Sequence, residues 1–190
     1  MWKRFPIPEF DRAEFKDLDW AAPAYLSQAD IGKLIDGRES GDSSVYGCYP
    51  VMPDEAFFAK LDVRGDQRHA VMCVLPDQDV RIVGRSWAWA TQRAWIVDSL
   101  DPGGFNMIAD WKTSRPMNTR LGPEDGISHA GGVLYAVCSH GYGDHWNGNR
   151  TIAQNGLNCA EGRRACRVLS ASVDDKNDFH DCNISFEWSA

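Results

Sequence analysis

The sequence predicts an α+β fold rich in strand: a mostly antiparallel sheet or sandwich of about six strands, with two short N-terminal helices and an extended N-terminal arm. Three observations carry this. Near the C terminus Cys182, Ile184, Phe186 and Trp188 alternate with Asn183, Ser185 and Glu187. That period of two puts one face of a strand in a core and the other outside it. Residues 69–84, "HAVMCVLPDQDVRIVG", read as strand, turn, strand about Pro76-Asp77-Gln78-Asp79. Helical periodicity without a competing strand reading is found in two short spans in the first third of the chain.

Residues 1–26 form the arm. Trp2, Phe5, Ile7, Phe10, Phe15 and Trp20 are spaced by prolines, and Pro6 and Pro8 forbid a regular helix. So apolar a segment is expected to lie across its own body, or across a second copy in a homo-oligomer. Residues 27–190 are expected to make a single β-rich domain. Ser27 caps a first helix that presents Ile31, Leu34 and Ile35 and stops at Gly37. A second helix follows Pro53 and buries Phe57, Phe58 and Leu61.

In the strand–turn–strand segment Val71, Cys73 and Leu75 share one side, and Val80 and Ile82 share one side of the second strand. "SWAWATQRAWIVDSL" fits either period, while glycine, proline and asparagine mark residues 101–130 as long loops. "GGVLYAVC" suits a central strand. "CRVLSASV" and "CNISFEW" flank the polar "DDKND" as a hairpin.

Composition excludes some function classes. The net charge of −7 opposes attraction to phosphate backbones, and Arg163, Arg164 and Arg167 form the one short basic cluster. No nucleic-acid partner is expected. No apolar run approaches the ~18 residues of a membrane span. The opening Met1-Trp2-Lys3-Arg4-Phe5-Pro6 lacks the apolar stretch of a signal peptide.

The cysteines at 48, 73, 138, 159, 166 and 182 contain no CxxC, and most lie in the last third. The expectation is a set of disulfides and hence an oxidising location, extracellular or in a virion; six thiols would point to the cytosol instead. "AEGRRA" could turn and bring Cys159 to Cys166. Asn149-Arg150-Thr151 and Asn183-Ile184-Ser185 are glycosylation triplets.

Residues 138–151, "CSHGYGDHWNGNRT", read as a polar loop after a strand. Cys138, His140 and His145 could ligate zinc with Asp144 as a fourth or supporting group, and zinc is the one cofactor considered. Cys48 before a short helix and His129 before a strand could pair as nucleophile and base. In that order they resemble papain-like peptidases and cell-wall amidases, which implies a cysteine hydrolase with Cys48 and His129 as its pair; Pro50 and Pro53 depart from the long nucleophile helix of those families. Asp98, Asp101, Glu124 and Asp125 sit beside glycine or proline and read as turn residues.

Eight tryptophans are about three times a typical share. Trp146 and Trp111 fall in polar segments, where an indole can stack on a sugar while Asp144, Asn147 and Asn149 bond its hydroxyls. No complete catalytic set is present. The expectation is therefore a non-catalytic recognition or assembly protein, a virion component or secreted binding module that engages glycan or protein through aromatic-bearing loops. A cysteine hydrolase is the alternative.

Overall fold

The structure, a computed structural model, describes residues 24–88, 90–113, 120–142, 145–159, 162–172, 179 and 181–190. It is a two-sheet, antiparallel-rich β-sandwich with two short helices. In chain order these are α1 (Gln28–Glu39), β1 (Gly47–Val51), α2 (Glu55–Leu61), β2 (Val63–Arg64), β3 (Ala70–Leu75), β4 (Val80–Ser86), β5 (Gln92–Val97), β6 (Met107–Lys112), β7 (Arg120–Leu121), β8 (Ile127–His129), β9 (Gly132–Tyr142), β10 (His145–Gly148), β11 (Arg150–Cys159), β12 (Arg163–Ala171) and β13 (Cys182–Ser189).

The first sheet is built around β9. Its first half pairs with β3, which carries β1 at the edge; its second half pairs with β10, which carries β2. On the other side β9 pairs with β5, and β5 with β6. The second sheet runs β11-β12-β13-β4, with β7 and β8 both on β4.

Cys73 and Leu75 of β3, Leu134, Ala136 and Cys138 of β9, and Ile184, Phe186 and Trp188 of β13 meet between the sheets. The alternate residues of the first sheet, among them Met72, Val74, Trp95 and Val137, pack instead with Phe57, Phe58 and Leu61 of α2. Strands β3, β5 and β9 are thus apolar on both faces because a helix layer covers one and the second sheet covers the other.

Both helices form where their residues predict them. Ser27 Oγ accepts from Asp30 N at 3.1 Å, and Phe57, Phe58 and Leu61 are buried. α1 does not stop at Gly37 but runs to Glu39. Gly37 serves close approach instead, since a Cβ there would lie 2.8 Å from Val45 Cγ1. Arg38 then ties the helix end to the sheet, donating to Leu75 O at 2.7 Å and pairing with Asp77.

Several expectations about strands change. β3 and β4 flank the turn at Pro76 but belong to different sheets, so the segment arches across the sandwich rather than forming a hairpin. Alternation told which face of each strand is buried, and both faces point into the same core. Residues 101–130 hold β6, β7 and β8 within the expected loop region, and "SWAWATQRAWIVDSL" contributes the strand β5. The hairpin predicted from "CRVLSASV" and "CNISFEW" is present as β12 and β13; its "DDKND" tip lies outside the described residues. The arm lies outside them through residue 23, and its last residues, Tyr25 and Leu26, contact His69 and Pro50 O.

Candidate functional site

Residues 138–151 are not a loop. They complete β9 and, from His145, form β10 paired antiparallel to it, with Trp146 opposite Gly141 and Asn147 opposite His140. Glycines in a strand mark close approach. A Cβ on Gly141 would lie 3.2 Å from Trp146 Cζ3 and 2.5 Å from Thr91 Oγ1. The hairpin therefore carries two different chemistries on its two faces.

The inner face holds a buried polar network at one end of the sandwich. His140 Nδ1 lies 2.7 Å from Asn149 Oδ1, so the imidazole donates there. Asn149 Nδ2 donates to Gln92 Oε1 at 2.9 Å and to Ser170 Oγ at 3.0 Å. Gln92 Nε2 donates onward to Ser172 Oγ at 3.2 Å, and Ser172 donates to Asp181 Oδ2 at 2.8 Å. All these groups are buried, and together they join β5, β9, β12 and the start of β13.

The outer face is partly open. Trp146 is half-buried, edge-on to Trp95 with centroids 6.4 Å apart. The Arg93 guanidinium lies 4.7 Å from the Trp95 centroid and 5.4 Å from that of Trp146. Asp110 on β6 receives both of its donors, at 2.8 and 2.7 Å. That pairing holds the Arg93 charge above the ordinary arginine range. A fixed indole, a guanidinium and a carboxylate thus stand side by side where the helix layer leaves this sheet face partly open. Arg93 and Asp110 were not picked out from sequence. Strand pairing across β5 and β6 brings them together, and neither neighbourhood has a motif.

The other predicted binding residues fall elsewhere. Trp111 lies in β6 and faces the inter-sheet core, with Gly84 and Gly122 cleared to make room for its ring. Asn149 is wholly buried in the network, and Asn147 is half-buried beside Gly65. Asp144 lies outside the described residues. Both glycosylation triplets put their asparagine in the interior, since Asn149 and Asn183 are buried.

Zinc ligation does not follow from the geometry. Among the described residues no group of three His, Cys, Asp or Glu side chains converges enough to hold a metal ion. Cys138 points into the core toward Cys182, His140 is taken by Asn149, and His145 is exposed at the start of β10. The spacing that looked loop-like belongs to a hairpin, in which the three side chains have different surroundings.

Cys48 is also placed differently from expectation. It lies within β1, ahead of α2 but not at the start of that helix, and is 1% exposed. Its Sγ is 3.8 Å from Cys73 Sγ and within hydrogen-bonding reach of Cys166. Burial pushes its thiol well above the ordinary range, the opposite of an activated nucleophile. His129 lies on β8, in a shallow depression with Asp77, Gln78, Asp79 and Ser128. The neighbours of the Cys48 thiol are other thiols.

All six cysteines are unbridged in the structure. Cys159 and Cys166 flank the β11–β12 turn but point to opposite faces: Cys166 is in the core, and Cys159 is partly exposed among Arg163, Arg167 and Glu187. The other buried cysteines act as small apolar core residues. Of the carboxylates, Asp98 accepts from Asn106 N and Nδ2, which holds it below the usual range, and Asp101 accepts from Gly103 N. Glu124 and Asp125 offer their backbone carbonyls to Arg85 and Arg81. These are turn roles, as their neighbours in sequence predict.

No protein-family model and no curated protein matches the chain. Among solved structures it is similar to three bacterial lectins. The Chromobacterium violaceum lectin CV2L, in complex with alpha-methyl-fucoside, shares 14% identity over 63% of this chain and 96% of its own, with a TM-score of 0.43. The Ralstonia solanacearum high-affinity mannose-binding lectin shares 14% over 60% of this chain and 90% of its own, at 0.43. The C-terminal domain of the Burkholderia cenocepacia lectin BC2L-C shares 15% over the same shares, 60% and 90%, at 0.45.

Proposed function

We propose that the protein is a non-catalytic recognition protein that binds a glycan on the outer face of the first sheet, at Trp146. The observation that supports this is the fixed array of Trp146, Arg93 and Asp110. The indole is held from below by Gly141 and from the side by Trp95, so little conformational entropy is lost when a ligand packs on it. A sugar presents an apolar C–H face to an indole and hydroxyls to charged groups beside it. Each Asp110 oxygen accepts one bond from Arg93 and keeps a lone pair for a hydroxyl. Cys48 is buried among thiols, so nothing in its surroundings recommends the hydrolase reading.

The experiment is an immobilised-glycan array probed with the full chain, with Trp146→Ala and with Trp146→Phe. The expected result is capture of at least one glycan class, weakened about tenfold or more by Trp146→Ala, a loss of roughly 1.4 kcal/mol, and retained in part by Trp146→Phe. An array on which the full chain captures nothing, or on which Trp146→Ala binds equally well, overturns the reading.

A further inference from the structure

Beside the Trp146 indole the first sheet carries two cations and one carboxylate. Strand alternation fixes which residues stand there. In β6 Ala109 and Trp111 are buried, while Asp110 and Lys112 are exposed on the other side of the strand. The β5–β6 register sets Asp110 opposite Trp95 and Lys112 opposite Arg93. Arg93, Asp110 and Lys112 therefore share one face with Trp95. From there the Arg93 guanidinium reaches to 5.4 Å from the Trp146 centroid.

The cations on the far side of Trp146 already have carboxylates. Trp146 pairs with Val63 of β2, and the next residue, Arg64, contacts Asp62 at 3.3 Å. The Gln67–Arg68 backbone closes over Gly148, where a Cβ would lie 2.6 Å from Gln67 O. Arg68 itself gives both Nη groups to Glu55 at 2.7 Å. Arg93 and Lys112 differ, because Asp110 is the one carboxylate between them. It takes Nε and one Nη2 proton of Arg93 and leaves the Nη1 edge of the guanidinium. Among the described residues Lys112 makes no ion pair. Like charges directly opposite in an antiparallel pair repel at a Cβ separation of about 5 Å, and Arg93 and Lys112 are such a pair. An anion received between them removes that repulsion. Stacking on Trp95 at 4.7 Å and the double bond to Asp110 hold the guanidinium in place, so little freedom is lost when a ligand arrives.

We propose that the Trp146 site takes an acidic glycan, one whose sugar ring lies on the indole and whose carboxylate is received by Arg93 and Lys112. The inference rests on the glycan reading and adds the charge class of the ligand. The guanidinium bonds a carboxylate through its remaining donors, and the lysine ammonium adds a point charge that a neutral sugar does not use. Asp110 keeps its role as acceptor for hydroxyls. The chain as a whole carries −7, so a preference for an acid comes from this local excess alone. At ~0.1 M salt the Debye length is about 10 Å, and carboxylates farther away are screened.

The test is titration calorimetry of the full chain at ~0.1 M salt against matched pairs that differ in the carboxylate: sialyllactose with lactose, and an oligogalacturonate with its methyl ester. The acidic member of at least one pair is expected to bind about fivefold or more tightly than its neutral counterpart. Which pair shows the preference tells a sialic acid from a uronic acid. Lys112→Glu is expected to abolish the preference and Lys112→Arg to keep it; ~1 M salt is expected to reduce it. Lys112 is exposed on a strand that pairs with β5 alone among the described strands, so both variants are expected to melt with the parent chain. Equal binding within both pairs, or an unchanged preference in Lys112→Glu, overturns the inference. If Trp146→Ala still weakens both members of a pair in that case, the glycan reading stands without it. Failure of all four probes to bind also overturns the inference and leaves the glycan reading to the array.

Discussion

Trp146 and Gly141 face each other across the β9–β10 hairpin, and the indole fills the space that a side chain at 141 would need. This pairing sets the position of the proposed binding surface. An alanine methyl at 141 would meet both Thr91 Oγ1 and the indole edge. Gly141→Ala is therefore expected to destabilise the fold by about 1–3 kcal/mol through overpacking and to weaken glycan capture by tilting Trp146. Thermal denaturation and array binding on the same preparation check it. Unchanged capture would show that the position of the indole does not matter to the ligand.

Thiol reactivity follows from where the sulfurs sit. Cys159 is the partly exposed cysteine, while Cys48, Cys73, Cys138, Cys166 and Cys182 are buried. Burial raises Cys48 and Cys166 well above the ordinary thiol range; for Cys182 the contact with Cys138 is the larger cause, ahead of burial. In the folded protein at mildly alkaline pH, Cys159 is expected to react promptly with an aromatic disulfide reagent and the others only on unfolding. Denatured, unreduced protein is expected to titrate all six thiols; fewer would reveal cross-links and restore the oxidising compartment that the cysteine count suggests.

His69 links stability to pH. It is buried, stacked on Tyr25 at 5.8 Å and hydrogen-bonded to the tyrosine hydroxyl. Burial lowers its pKa, so the unfolded chain takes up a proton more readily than the folded one. The stabilisation is fully present above the unfolded value of about 6.5 and is lost as pH falls below it toward the folded value. The melting temperature is expected to drop between about pH 7 and pH 5, and His69→Gln to flatten that dependence. An equally steep profile in the variant would assign the effect to other groups.

Asn149 joins three side chains from three strands. Asn149→Ala leaves His140 Nδ1, Gln92 Oε1 and a Ser170 interaction unmatched in a buried setting. The expected cost is about 2–4 kcal/mol, read as a lower urea midpoint with an unchanged slope. A loss under about 0.5 kcal/mol would mean that water replaces the amide at this end of the sandwich.

Much of the fold was legible because burial leaves a local trace. The alternation in β13 and the Phe57, Phe58 and Leu61 face of α2 could be read directly, since each records which side of one element meets apolar surroundings. Strands in residues 101–130 left no such trace. β7 and β8 are two and three residues long, and β6 buries only Ala109 and Trp111, so glycine and proline dominated the local signal. The 138–151 stretch misled for a related reason: polar residues that look solvent-bound, His140, Asn149 and Ser139, are buried because they bond one another or the backbone.

The candidate site was legible only at Trp146. Its partners come from β5 and β6, more than thirty residues away in sequence, and a single chain read in order carries no signal for a contact of that range. Trp111 and Cys48 show the same gap from the other direction: their neighbours in sequence are polar or turn-forming, and their neighbours in space are the sandwich core.

By itself the sequence determined many of the residues that seek an interior and the place of both helices and of the strands with clear alternation. Tertiary structure alone decided that β3 and β4 enter different sheets, that the thiols lie among one another rather than beside an imidazole, and that Arg93 and Asp110 stand next to Trp146. The reason is physical: periodicity reports the polarity of each face of one element, whereas partner choice depends on the summed packing and hydrogen bonding of the whole sandwich, which no short window of residues contains.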